Sequence, residues 1–264
     1  MRVIVLAAML GAVGLGAATK IAVTVVEQKS GAPLTALEAK DFAVFDDKAQ
    51  RNVEAAAYTA ETLDLMLLVD TSLAGGAVQP MARDFVAQLQ PREQMAVVAF
   101  HSSADLIQDF TSSPQLILRA LSRVQYGNEP HVLDALYAAI DGGFQPTGFR
   151  RAILLLTSGV EGESRMTEKD VIRMARRNQV SIYPMYVNGY ERSLFELLAR
   201  ETGGASFHAR SMKKAGVTEP GKRVFQTARG RYILTVGGSL GLGEKLRVEV
   251  KRPEKLQVSA MPLE

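Results

Sequence analysis

Leu63 to Asp70 reads Leu-Asp-Leu-Met-Leu-Leu-Val-Asp, an almost unbroken apolar run that stops at a carboxylate. A strand packed on one face alternates apolar and polar residues. A run without alternation belongs to a strand covered on both faces, as in a parallel sheet between helical layers. Two further runs follow at Met95–Phe100 and Ala152–Leu156. A fourth, Val180–Val187, contains Pro184, which places it near an edge or at a bulge. Between the runs the period turns helical. Val78, Met81, Phe85 and Leu89 share one stripe, as do Val132, Leu133, Leu136, Tyr137 and Ile140. Thr167 with Asp170 and Ser193 with Glu196 have capping-box spacing, and Gly203-Gly204 suits a helix end. Strands alternating with helices predict an α/β fold over about 62–209: a doubly wound, mostly parallel sheet flanked by helices.

The flanks follow another pattern. Lys20–Glu27 alternates as a half-buried strand, and the lead-in block of about 20–60 is too short for a core of its own. After Ala209 the sequence predicts a short helix around 223–228. Strands follow at 231–236, 245–250 and 256–260. The C-terminal segment 210–264 is therefore expected to pair with the lead-in into one accessory sheet. Gly237–Gly243 reads as a hairpin loop and not a phosphate loop, since no helix and no Lys-Ser/Thr pair follow it.

Composition narrows the function classes. Hydrophobic residues make up 47% and charged residues 22%, enough apolar material for a sizeable core. There is no cysteine, which excludes disulfides, thiolate zinc sites and cysteine nucleophiles. The net charge is +3, with the basic excess concentrated between Arg210 and Lys255. Only Phe225 and Tyr232 stand among those cations, too few for a row of stacking platforms, so solvated strand faces explain them better than nucleic-acid binding. Residues 1–18 read as a signal peptide: Arg2, an apolar run from Val3 to Val13, and small residues at Gly16 and Ala18. An uncleaved membrane anchor is the alternative, but such an anchor normally needs ~20 apolar residues and this run is shorter before Lys20 interrupts it. The protein is thus expected to be exported, to the periplasm or beyond, with no stable membrane span once the signal is removed.

In open α/β sheets ligands bind beyond the carboxyl ends of the strands. There Asp70 is followed by Thr71-Ser72-Leu73-Ala74-Gly75-Gly76, a carboxylate and hydroxyls of the kind that hold a hard cation. Leu67-Leu68-Val69-Asp70-Thr71-Ser72 resembles the start of the von Willebrand factor A domain, whose Asp-x-Ser-x-Ser loop opens a metal-ion-dependent adhesion site. The lead-in Lys40-Asp41-Phe42-Ala43-Val44-Phe45-Asp46-Asp47, with Asp134-Ala135-Leu136 and Ile153–Gly159, resembles the exported bacterial family of von Willebrand factor A-related proteins of the Acidobacteria type. That resemblance implies ligand positions at Asp70, Ser72, Ala74, about Pro130, and Ser158. Ala74 and Pro130 carry no ligating side-chain atom, and a serine stands where the family has its third-loop aspartate. The remnant set Asp70, Ser72 and Ser158 is too poor to strip water from magnesium, so no cofactor is expected. Weakly held magnesium or calcium is the alternative.

The resemblance implies protein–protein interaction and no enzymatic activity. The expected contact rim comprises Asp70, Ser72, Asn128, Glu129, His131, Ser158 and Glu161. One rival reading is a hydrolase built from Asp70, Ser72 and His131, although no Gly-x-Ser-x-Gly elbow supports it. A zinc site of His101, His131 and Asp70 is a weaker one. A third is a structural or envelope-assembly protein acting through the accessory sheet. If Asp70 binds no metal, its carboxylate is expected to accept backbone N–H groups of its own loop or of the helix start near Gly75.

Overall fold

A computed structural model of the chain describes residues 18–144, 148–238, 240 and 246–263. The expected signal segment therefore lies outside the described residues, apart from its last residue. The lead-in forms β1 (Thr19–Glu27), β2 (Phe42–Asp46), β3 (Ala49–Arg51) and β4 (Val53–Ala60). The α/β part then runs through β5 (Leu63–Asp70), α1 (Gln79–Val86), β6 (Gln94–Phe100), β7 (Ala104–Thr111) and α2 (Pro114–Leu121). It continues with α3 (Val132–Gly143), β8 (Arg150–Thr157), α4 (Glu168–Arg177), β9 (Val180–Tyr186), α5 (Arg192–Glu201) and β10 (Phe207–His208). The chain closes with α6 (Ala209–Lys214), α7 (Pro220–Arg229), β11 (Gly230–Val236), β12 (Leu246–Val250) and β13 (Leu256–Pro262).

The central sheet has the order β10-β9-β8-β5-β6-β7, parallel except for β7. The apolar run in β5 is explained by burial on both sides. Leu63, Leu65, Leu67 and Val69 face a core shared with α1, α2 and α7, while Met66 and Leu68 face one shared with α3, α4 and α5. Phe85 of α1 meets Phe225 of α7 edge to face at 5.9 Å, and truncating a buried ring of this kind costs about 3–5 kcal/mol. The helical layer thus extends to Arg229, twenty residues past the expected boundary at 209. The helix expected around 223–228 is α7, and it packs on the same core through Val224, Phe225 and Ala228.

Pro184 sits in β9 beside the open edge. Ile182, two residues earlier, donates to Thr202 Oγ1 on that side at 3.1 Å. The Pro184 nitrogen faces the same way, where β10 has not yet begun, since β10 pairs only with Met185 and Tyr186. The missing N–H costs no ladder bond there. The box at Thr167 forms, with Thr167 accepting the Asp170 amide and Asp170 accepting the Thr167 amide. The expected box at Ser193 does not. Glu191 is the N-cap of α5, and Ser193 lies inside the helix, where Arg192 pairs with Glu196 at 2.7 Å.

The accessory element departs from a single sheet. It consists of a four-stranded sheet, β13-β1-β11-β4, and a three-stranded sheet, β12-β2-β3. Ile21, Val23, Val25, Tyr232, Leu234 and Val236 of the first meet Phe42, Val44 and Val248 of the second around a core of their own. β1 is also buried on its other face: Ala22, Thr24 and Val26 turn toward the α/β unit, and Thr24 Oγ1 donates to the Gly203 carbonyl at 2.8 Å. Half-burial was expected because the small Ala22 and Thr24 alternate with the larger apolar Ile21, Val23 and Val25. Gly237–Gly243, partly outside the described residues, joins strands of different sheets and is not a hairpin loop.

Candidate functional site

Asp70 ends β5 with 1% of its surface exposed. Its Oδ1 accepts the Ser72 amide at 2.9 Å and its Oδ2 accepts the Ser158 amide at 2.8 Å, with Thr157 Oγ1 a longer donor at 3.4 Å. The backbone donors expected around this carboxylate are present, but one comes from the loop after β8 and none from the helix start. Gly75 makes the tight turn possible: a Cβ there would lie 2.1 Å from the Asp70 carbonyl oxygen and 2.9 Å from Oδ1.

The Ser72 and Ser158 side chains are wholly buried, and neither hydroxyl has a hydrogen-bond partner among the described residues. The remnant set is therefore assembled: one carboxylate with both oxygens engaged, and two unengaged hydroxyls. Among the described residues no group of three or more His, Cys, Asp or Glu is placed to hold a metal ion, which removes the zinc arrangement of His101, His131 and Asp70. His101 instead folds onto its own turn, its Nδ1 accepting the Ser102 amide at 2.8 Å. Its ring lies against Gly127, where a Cβ would come within 2.3 Å.

The loop after β8 folds over the start of α3. His131 is the N-cap residue but supplies no side-chain cap. Glu161 does so from across the site, its Oε2 accepting the Val132 amide at 2.8 Å and its Oε1 the Leu133 amide at 3.5 Å. Ser164 Oγ accepts the Asp134 amide, and the Asp134 carboxylate accepts the Arg165 and Met166 amides at 2.9 and 2.8 Å. Burial, the largest influence, pushes the Glu161 carboxyl above its usual range; hydrogen bonds from Ser164, Val132 and Leu133 oppose it. A partly buried carboxylate at a helix amino end satisfies donors that the helix cannot.

Of the seven residues expected on the contact rim, only Asn128 and Glu129 are open to solvent, and His131 is half-buried. Burial removes Asp70, Ser72 and Ser158 from direct partner contact, and Glu161 is turned inward as a cap. His131 lies beside Asp134, Nδ1 to Oδ2 4.0 Å. The surface that sequence reasoning missed is apolar. Leu73 and Tyr190 are 80% and 79% exposed, and Tyr126 is 47% exposed. Their loops are tied together: Gly127 N–H donates to Thr71, Leu73 N–H to Asn128, Asn188 N–H to Ser158 and Glu191 N–H to Gly159. A large apolar residue among Gly, Ser and Asn, with no periodic partner, was the available signal.

A mostly parallel sheet between helical layers, with an aspartate at the end of its central strand, defines an α/β domain of von Willebrand factor A type. Residues 65–161 match the pattern of the von Willebrand factor type A domain. Among solved structures, proximal thread matrix protein 1 from the mussel byssus, described with a zinc-occupied MIDAS motif, is similar at 19% identity and TM-score 0.57. The similarity covers 70% of this chain and 50% of that one, so this chain spans half the mussel protein's length. An aerotolerance-related membrane protein from Bacteroides fragilis is similar at 12% identity and TM-score 0.51, over 62% of this chain and 98% of that one. No curated protein matches the sequence. Among the described residues no helix is long and apolar enough to cross a membrane.

Proposed function

We propose that the protein is an exported, non-enzymatic von Willebrand factor A-type module that docks a protein partner through its loop rim without a resident metal ion. The observation that carries this reading is the Asp70 carboxylate, whose two oxygens are already engaged by the Ser72 and Ser158 amides. A divalent ion needs several oxygen acceptors and gives up its waters reluctantly. One engaged carboxylate and two neutral hydroxyls do not fit that need. They fit a water molecule better, because each hydroxyl can donate to it or accept from it. The mussel protein's zinc-occupied motif is thus the state this rim is proposed to lack. With no cation to recruit an acidic group, recognition falls to Leu73, Tyr126 and Tyr190, and exposed Tyr is among the residues that carry most interface energy. Export is supported by the signal-like segment at 1–18 and by the absence of cysteine.

The test is capture of partner from envelope extract by immobilised protein, compared with Leu73→Asp/Tyr190→Ala, each with and without chelator. The expected result is capture that chelator leaves unchanged and the double variant loses. Release by chelator would overturn the metal-free reading. Undiminished capture by the double variant would overturn the rim.

A further inference from the structure

At the opposite end of the sheet from Asp70, a cavity of about 570 Å³ opens between the α/β unit and the accessory sheets. Four arginines line it: Arg150 and Arg151 from the start of β8, Arg177 from the end of α4, and Arg231 from β11. Glu61 is the one carboxylate in its lining. Arg231 Nη2 donates to Glu61 Oε1 at 3.1 Å, its Nε lies 2.7 Å from Oε2 as an ion-pair contact without hydrogen-bond geometry, and Arg150 Nη1 reaches the same Oε2 at 3.4 Å. Arg150, with 6% of its side chain exposed, spends its other donors on the Tyr183 hydroxyl and the Ala228 carbonyl, and its buried Nε has no acceptor among the described residues. Arg151 donates to the Asn178 carbonyl at 3.2 Å and faces buried Asp64 across the β5–β8 ladder. Arg177 is exposed and has no acidic partner among the described residues.

Positive charge is thus collected in a partly desolvated pocket and only partly answered. Burial and then the neighbouring Arg150 guanidinium both push the Arg231 pKa down, the mark of two like charges held close. The arrangement is costly unless something anionic shares it. Planar guanidiniums present paired N–H donors matched to phosphoryl or carboxylate oxygens. More than one charge remains to be balanced, which favours a dianion over a monoanion. The cavity also exceeds a bare phosphate and has Phe149 on its wall, so the ligand has an organic body.

We propose that this arginine-lined cleft is a binding site for a phosphomonoester carried on a larger molecule, either a soluble phosphomonoester or the phosphomonoester headgroup of an anionic phospholipid. The proposal is independent of the metal-free rim. The probe is phenyl phosphate, titrated by NMR and by thermal denaturation against sodium chloride of equal ionic strength. Saturable shifts are expected, with affinity falling at least about tenfold in Arg177→Glu and in Arg151→Gln, as loss of a charge-assisted hydrogen bond predicts. Arg177 is exposed, so Arg177→Glu should denature like wild type without probe; should it not, Arg151→Gln carries the comparison. Co-sedimentation with phosphatidic acid vesicles, lost in Arg177→Glu, would assign the headgroup. Phenyl phosphate binding without sedimentation would assign the soluble ester. No saturable binding, or binding that both variants retain in full, would overturn the proposal.

Discussion

The Asp70 carboxylate and the Ser158 amide, 88 residues apart in sequence, meet at 2.8 Å and tie the loop after β5 to the loop after β8. With the Ser72 amide on the other oxygen, Asp70 is a structural acceptor joining two of the loops that form the rim. Replacing it leaves two buried N–H groups without an acceptor, each costing about 1–3 kcal/mol. Asp70→Ala should therefore lower the stability of the metal-free protein by about 3 kcal/mol in urea denaturation. A carboxylate kept only to bind a cation would leave that stability unchanged.

The neighbouring glycines make a matched pair. A Cβ at Gly75 would strike the Asp70 carbonyl, whereas one at Gly76 would meet nothing within 4 Å. Gly75→Ala should cost about 2 kcal/mol or more, and Gly76→Ala should be neutral or stabilise by a few tenths. Thermal denaturation of both variants checks this; equal effects would contradict the packing of this turn.

Glu161 caps α3 from a different loop. Glu161→Ala should cost about 1 kcal/mol, the usual value of a lost cap, and Glu161→Gln less, since its amide oxygen still accepts the Val132 N–H. The pH dependence has a defined sign. Burial holds the native carboxyl above its ordinary value of 4.5, so the native state binds this proton more readily than the unfolded chain. The stability so gained is complete below 4.5 and is lost as pH rises through the native value. Glu161→Gln should thus gain on wild type between about pH 4 and pH 7, as denaturation at both ends would measure.

His208 has the opposite sign. Its ring stacks on Tyr186 at 5.3 Å, with Nε2 3.2 Å from the Val187 carbonyl and Nδ1 2.8 Å from Ser211 Oγ. Burial is the largest influence, and together with the nearby cations Arg192, Arg210 and Lys214 it lowers the pKa below 6.5 against the Val187 hydrogen bond. The native state therefore binds this proton less readily than the unfolded chain. Its contribution is present above 6.5 and lost as pH falls through the native value. Wild type should lose more stability than His208→Gln between about pH 7.5 and pH 5.5, in thermal melts at the two pH values.

How much of this was legible depended on what each residue faces. The run Leu63–Asp70 disclosed a doubly covered strand because both its neighbours are apolar helical layers, and the Thr167 box disclosed α4 because its signal is local. β7 and α2 left no such trace: Leu106 is 59% exposed on an edge strand, and Leu116 and Leu118 are exposed on α2. The two-sheet accessory element was hidden because pairing between residues some 200 positions apart is not written in any local period. At the site, the ligand types at Asp70, Ser72 and Ser158 were readable, but their burial was not. Glu161 looked like a rim contact because a cap supplied from another loop lacks the fixed spacing that marks a local one.

Whether the rim holds a metal ion is decided by titrating the chelator-treated protein with magnesium, calcium, manganese and zinc in a calorimeter, beside Asp70→Asn. No saturable heat is expected at millimolar concentrations of any of the four, and no difference between the two proteins. Micromolar binding that disappears in Asp70→Asn would contradict the metal-free reading.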